Sequence, residues 1–205
     1  MYVPPKHAVD EEAAWRIVDE AGAGLLVINT PEGLESVYVP VVPSEDRRTI
    51  KSHVARANTW WRSVEEGTEV LAIFLAASAY VSPSLYPSRV ESPGVVPTWN
   101  YVACEVRGRL SVHDDVDWLA AQIRLVTDRF EEGRDPRWHV EDSPEEYIGH
   151  QLAAIVGIEI EVTAVQGKAK LSQNRPEIDH DNVRDTFASG SLGERIVASH
   201  MRLDG

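Results

Sequence analysis

The run Gly157-Ile158-Glu159-Ile160-Glu161-Val162-Thr163-Ala164-Val165 leads through Gln166 into Gly167-Lys168-Ala169-Lys170-Leu171-Ser172-Gln173-Asn174-Arg175. Alternating and β-branched residues over the first nine positions predict a strand. The second nine hold three cations and three polar side chains. A strand end that delivers cations in a fixed geometry suits an anion such as a phosphate. The alternative is a solvated basic turn that balances Glu159 and Glu161.

The same reading gives five further strands. Gly24–Asn29 and Glu35–Val42 flank Thr30-Pro31-Glu32-Gly33, turn chemistry that predicts a hairpin. Thr49–Val54, the apolar Glu69–Leu75 and the long Tyr101–His113 follow, with Gly108 as a candidate bulge. Helices are predicted over Glu11–Ala21, around Trp60–Glu66, over Asp114–Phe130, over Tyr147–Ala154 with Ser143 as N-cap, and from Asn182 to Leu203 with a break at Ser189-Gly190-Ser191. Ser82–Pro97 carries four prolines and a glycine and reads as an ordered loop. Short connections between successive strands favour a small antiparallel barrel with helical attachments over a doubly wound fold.

Composition narrows the class. The 205 residues are 43% hydrophobic and 26% charged, which predicts one domain, residues 1–205, with a C-terminal helical extension. No apolar run reaches the roughly 20 residues needed to span a bilayer, and the first residues lack the basic-then-apolar order of a signal peptide, so no membrane partner and a cytoplasmic location are expected. The single cysteine, Cys104, lies in a strand-like stretch and reads as structural. A net charge of −13 repels polyanions and disfavours direct nucleic-acid binding.

No glycine-rich nucleotide loop is present. Asp179-His180-Asp181 reads as an exposed helix cap rather than a metal site, and no metal is expected. In Lys51-Ser52-His53-Val54-Ala55-Arg56-Ala57-Asn58 a strand runs into cationic side chains that could share a phosphate; the alternative is a capped turn with Arg56 on the surface. Pro97-Thr98-Trp99-Asn100-Tyr101 sets two aromatics and an amide at the entrance to the longest strand, suited to a flat heterocycle or to plain packing.

Four motifs, His53-Val54-Ala55-Arg56-Ala57-Asn58, Ala79-Tyr80-Val81-Ser82-Pro83-Ser84-Leu85-Tyr86, Val96-Pro97-Thr98-Trp99-Asn100-Tyr101 and Gly167-Lys168-Ala169-Lys170-Leu171-Ser172-Gln173-Asn174, occur in an order and spacing that resembles the PaiB family over essentially the whole chain. The resemblance implies an α+β fold, an FMN-binding split β-barrel with N-terminal, middle and C-terminal helices. It also implies a homodimer with flavin at the subunit interface, and a negative transcriptional regulator, which the charge directs toward indirect action. By similarity to flavin split barrels, Arg56, Ser52 and His53 would meet the FMN phosphate with Lys51 nearby. Val39 to Val41 would lie along the ring through the backbone, Asn100 and Tyr101 would reach it across the dimer, and Lys168, Lys170, Ser172 and Gln173 would close the site. Leu85 stands where the family motif often carries tryptophan, and the Ser88–Val95 insertion is long.

Two other functions share this architecture. One is an FMN-dependent oxidoreductase or flavin reductase, in which the protein orients the flavin and a small substrate. The other is haem binding, for which His53, His113 and His150 are the conceivable axial ligands.

Overall fold

Alternation governs the first hairpin. In strand β1 (Ala23–Thr30), Leu26 and Ile28 are buried while Leu25 is exposed, and β2 (Gly33–Pro40) pairs with it antiparallel from Ala23↔Pro40 to Thr30↔Gly33. Thr30 Oγ1 donates to the Gly33 carbonyl at 2.9 Å, and Gly33 takes φ 124°, a value open to glycine. The computed structural model describes residues 1–202.

Helix α1 (Glu11–Ala21) precedes this hairpin and buries Ala14, Trp15, Ile17 and Val18. After β2 come a two-residue β3 (Val42–Pro43), β4 (Thr49–Ala55), a 3-10 turn at Thr59–Ser63, β5 (Thr68–Val81) and β6 (Thr98–His113). Helices α2 (Val116–Glu131) and α3 (Glu145–Ala153) lead to β7 (Ile155–Lys170), and α4 (Glu177–Phe187) and α5 (Leu192–Met201) complete the described chain. The seven strands form one sheet in the order β2-β1-β5-β6-β7-β4-β3, with the β1/β2, β1/β5, β3/β4 and β4/β7 pairs antiparallel. No helix of the described residues is long and apolar enough to cross a membrane.

The described residues group into two compact units. The first takes Met1–Ala21, Phe74–Glu105 and the chain from Gln166 onward. Its core is built from Phe74, Ala79, Val81, Tyr86, Val102, Leu171, Phe187 and Met201. The second takes Gly22–Ile73 and Val106–Val165, with Leu26, Ile28, Ile50, Leu110, Leu119, Ile158 and Ile160 inside. Each such aliphatic side chain contributes roughly 1.5–3 kcal/mol by leaving water.

Several elements depart from expectation. Strand β5 runs on to Val81 although Ala76-Ala77-Ser78-Ala79 carries little strand signal; in its burial pattern Ala77, Ala79 and Val81 face inward, and packing overrides propensity. Strand β7 continues through Lys170, so Lys168 and Lys170 of the basic tract lie within the strand and only Arg175 lies beyond its end. Helix α3 begins at Glu145 with Pro144 at the N-cap, and Ser143 makes no cap bond. Helix α4 starts at Glu177, and Asp179 lies in its first turn, fully buried rather than an exposed cap. The C-terminal helix ends at Met201, and Leu203 lies outside the described residues. Gly108 marks a close approach: a Cβ there would meet the Glu161 carbonyl and the Ile160 side chain.

The proline-rich loop is ordered as two 3-10 turns, Pro83–Leu85 and Pro87–Val90. Asp179 pins it by accepting from Ser88 N at 2.9 Å and Ser88 Oγ at 2.6 Å, while Asn182 Nδ2 donates to the Leu85 carbonyl at 2.8 Å.

Candidate functional site

The sequence-predicted residues fall into two sets, one in each unit. In the second unit, Val39 and Val41 are buried, and Val41 N donates to the Gly22 carbonyl at 2.9 Å. On β4 the pleat sends Ser52 inward, where Oγ donates to the Pro40 carbonyl at 2.7 Å. Lys51 and His53 take the other face. Lys51 Nζ lies 3.9 Å from Glu159 and 5.7 Å from the Trp118 ring centre.

His53 Nδ1 is 3.2 Å from Gln122 Oε1. Burial pushes the His53 imidazolium below the ordinary histidine range, and the Gln122 bond opposes that shift. Trp118 stacks on His113 with ring centres 4.2 Å apart. Arg56 is fully engaged: its guanidinium forms a two-pronged pair with Asp114, and Nε and Nη2 donate to the Ala153 and Ile155 carbonyls at 2.8 and 2.9 Å. The Arg56 hydrogen bonds hold the Asp114 carboxyl below the usual carboxylate range. Each polar residue of this set therefore already has a partner inside the protein.

The first unit is electrostatically different. Lys168 is buried; its Nζ donates to the Tyr2 carbonyl at 3.0 Å and lies 5.1 Å from the Tyr101 ring centre. Lys170 Nζ donates to Thr98 Oγ1 and the Trp99 carbonyl, both at 2.5 Å. Burial, then repulsion from Lys168 and Arg175, pushes the Lys170 ammonium below the ordinary lysine range. Arg175 lies over the Tyr86 ring with its guanidinium carbon 4.3 Å from the ring centre.

Among the described residues none of these three cations joins an ion pair; their partners are neutral oxygens and aromatic faces. Asn100, wholly buried, exchanges hydrogen bonds with Ser172, and Gln173 Oε1 accepts from Leu171 N at 2.8 Å. Tyr80 and Trp99, about half exposed, meet edge to face at 6.0 Å.

Tyr80, Trp99 and Arg175 were not assigned to the FMN site by the sequence reading, although Tyr80 lies inside a family motif and Trp99 and Arg175 lie inside the tracts read as suited to a flat heterocycle and to an anion. The signal that finds them is the pleat: on adjacent strands β6 and β7, Lys168 reaches Tyr101 and Lys170 reaches Trp99. Of the three histidines conceivable as haem ligands, His150 sits exposed on α3, 4.0 Å from Glu146. His113 Nε2 is buried without a partner among the described residues. Cys104 is buried and desolvation pushes its thiol up to about 12, as a structural cysteine requires. No group of three or more potential metal ligands occurs among the described residues.

FMN brings a phosphate, ribityl hydroxyls and a flat ring. The unpaired cations of the first unit suit its negative charge, and the exposed Tyr80 and Trp99 beside Lys170 suit an aromatic ring. The second set would have to release Arg56 from Asp114 to do the same.

The fold is the split β-barrel found in flavin and haem proteins. A flavocytochrome from Azotobacter vinelandii superposes with a TM-score of 0.59 at 12% identity, over 84% of this chain and 73% of that one. An FAD and haem binding protein from Mycobacterium smegmatis gives a TM-score of 0.58 at 16% identity, over 92% and 82%. The chain belongs to the family described as "Putative FMN-binding domain", whose model matches residues 1–164, and FMN is the cofactor that membership defines. It is 33% identical over 187 residues to the protease synthase and sporulation protein PAI 2 of Bacillus subtilis, covering 89% of this chain and 87% of that protein.

Proposed function

We propose that the protein is an FMN-binding regulator that works as a homodimer, with the cofactor's negative charge taken by Lys168, Lys170 and Arg175. The observation that carries this reading is a set of three cations without an ion pair in a protein of net charge −13. Asn100 and Ser172 fix the strand ends behind that set, with Tyr101 and Gln173 beside it. Ser52, His53 and Arg56 are assigned to the framework that holds β4 against its neighbours. When bound, FMN supplies the redox chemistry; the side chains supply charge, orientation and an aromatic surface.

Dimerisation is supported by an uncovered apolar row in the second unit. Leu25 pairs with both Tyr38 and Ile73, so the three side chains share one face, and the next row is Ser36, Val27 and Leu71. Tyr38 is 70% exposed and Leu34 on the same strand 77%. An obligate interface buries about 2,000 Å² or more, and a second copy laid on this face would cover it.

The regulatory reading is carried over from the resemblance to the PaiB family, and the Bacillus subtilis relative is named a protease synthase and sporulation protein. The net charge directs it toward a protein partner in the cytoplasm rather than an operator. An absorption spectrum followed by FMN titration tests the cofactor: saturable quenching of flavin fluorescence supports the reading, and free-flavin fluorescence at every protein concentration refutes it. A sequence-selective gel shift near physiological salt would overturn indirect action.

A further inference from the structure

We propose that this site binds the two-electron-reduced, anionic form of FMN more tightly than the oxidised form, and that Lys170 makes the distinction, so that flavin redox state sets occupancy. The inference rests on FMN occupying the Lys168, Lys170 and Arg175 cluster.

Lys170 is the cluster cation bonded to a residue of the exposed aromatic pair on which a flat ring would lie. Its ammonium is bonded to the backbone carbonyl of Trp99, whose indole is 55% exposed and packs against the exposed Tyr80 ring. Its two hydrogen-bond partners, Thr98 Oγ1 and the Trp99 carbonyl, are neutral, which leaves the positive charge uncompensated. The neighbouring charges make this worse, since Lys168 and Arg175 both repel it in a half-buried position. A ligand relieves that repulsion in proportion to the negative charge it brings.

Oxidised FMN has a neutral ring and a charged phosphate. Reduction by two electrons with uptake of one proton, from a reduced nicotinamide for example, leaves one added negative charge, and it resides on the ring. The site therefore gains an attraction on reduction that the phosphate alone does not supply. By the thermodynamic cycle, a ratio of affinities equals a shift in midpoint potential: tenfold tighter binding of the reduced form raises the bound potential by about 30 mV for a two-electron couple. A protein with this property fills with flavin when the cell is reducing and empties when it is not.

The test is the midpoint potential of protein-bound FMN, measured against an indicator dye during slow enzymatic reduction, in the wild type and in the Lys170→Gln and Lys170→Arg variants. The expected wild-type value lies at least about 30 mV above that of free FMN, corresponding to a tenfold preference. Lys170→Gln should return most of that shift, and Lys170→Arg should keep it.

Removing Lys170 also removes its repulsion by Lys168 and Arg175, so the thermal midpoint of the ligand-free Lys170→Gln variant should not fall. Should that variant fail to fold, the wild-type and Lys170→Arg potentials still decide. A bound potential at or below that of free FMN overturns the inference and leaves FMN binding intact. A raised potential unchanged by Lys170→Gln removes Lys170 from it. Absence of any FMN binding by the wild type would sink both this inference and the cofactor site.

Discussion

Asn100 and Ser172 exchange two side-chain hydrogen bonds, Asn100 Nδ2 donating to Ser172 Oγ at 3.0 Å and Ser172 Oγ donating to Asn100 Oδ1 at 3.1 Å, inside the first unit. Ser172 holds φ at 68°, a left-handed value that costs a non-glycine residue roughly 1–2 kcal/mol. The pair offsets that strain and fixes the chain where β7 ends just after Lys170. Lys168 and Lys170 thus precede, and Arg175 follows, a strained but well-tied corner.

Two substitutions separate these effects. Ser172→Ala keeps the backbone strain and leaves the buried Asn100 amide short of a partner, which costs about 1–3 kcal/mol. Ser172→Gly loses the same bond but relieves the strain, so its urea midpoint should lie above that of Ser172→Ala. The reverse order would show that the left-handed corner carries no strain.

A second prediction concerns the covering of the β4/β7 pair by α2. Gly157 leaves room for the Trp118 ring; a Cβ there would meet three of its carbons. Trp118 cannot swing freely, because it stacks on His113 with an interplanar angle of 6°. Gly157→Ala should therefore destabilise by about 1–3 kcal/mol, as overpacking does, and disturb the near-ultraviolet tryptophan signal. An unchanged denaturation midpoint would mean that α2 is not held where the structure places it.

Acid should loosen the same region. Burial holds His53 below its unfolded value near 6.5, so the unfolded chain binds the proton more readily than the folded one. The stability from keeping His53 neutral is full above that unfolded value and is lost as pH falls through it toward the folded value. The thermal midpoint should drop between about pH 7.5 and pH 5, and less so in His53→Gln. His7, also pushed down by burial, accounts for part of the remaining slope. A midpoint that rises on acidification would contradict this assignment.

Much of this architecture was legible in the sequence. The apolar run Gly24–Asn29 and the turn chemistry of Thr30–Gly33 predicted the first hairpin, and helical spacing over Asp114–Phe130 predicted α2, whose N-cap is Asp115, its Oδ1 accepting from Trp118 N at 2.8 Å. The site was less legible for two physical reasons. Arg56 reads as a phosphate ligand until Asp114, 58 residues away, is seen to occupy it. Tyr80 and Trp99 lie outside the strands predicted over Glu69–Leu75 and Tyr101–His113, and only the longer β5 and β6 and the sheet order bring them together. Asp179, buried against Ser88, shows the converse: a carboxylate in a polar stretch is anchored by a loop distant in sequence.

Quaternary structure gives a fourth prediction. Tyr38→Glu places a charge at the exposed end of the Tyr38, Leu25 and Ile73 row without touching the buried residues that alternate with it. Light scattering should report a dimer for the wild type and a monomer with unchanged circular dichroism for the variant. A wild-type monomer, or a dimer that survives the charge, would move the interface elsewhere.

The central claim is that FMN is held by the unpaired cations of the first unit, and the most direct measurement is the dissociation constant of oxidised FMN in the wild type and in Lys168→Gln, Lys170→Gln and Arg48→Gln. Arg48 is an exposed cation beside Asp46 and serves as the charge control. Each cluster lysine contributes a charge-assisted contact of roughly 1.5–3 kcal/mol, so each cluster substitution should weaken binding more than tenfold. Arg48→Gln should leave it unchanged. Equal affinity in all four proteins would contradict the account.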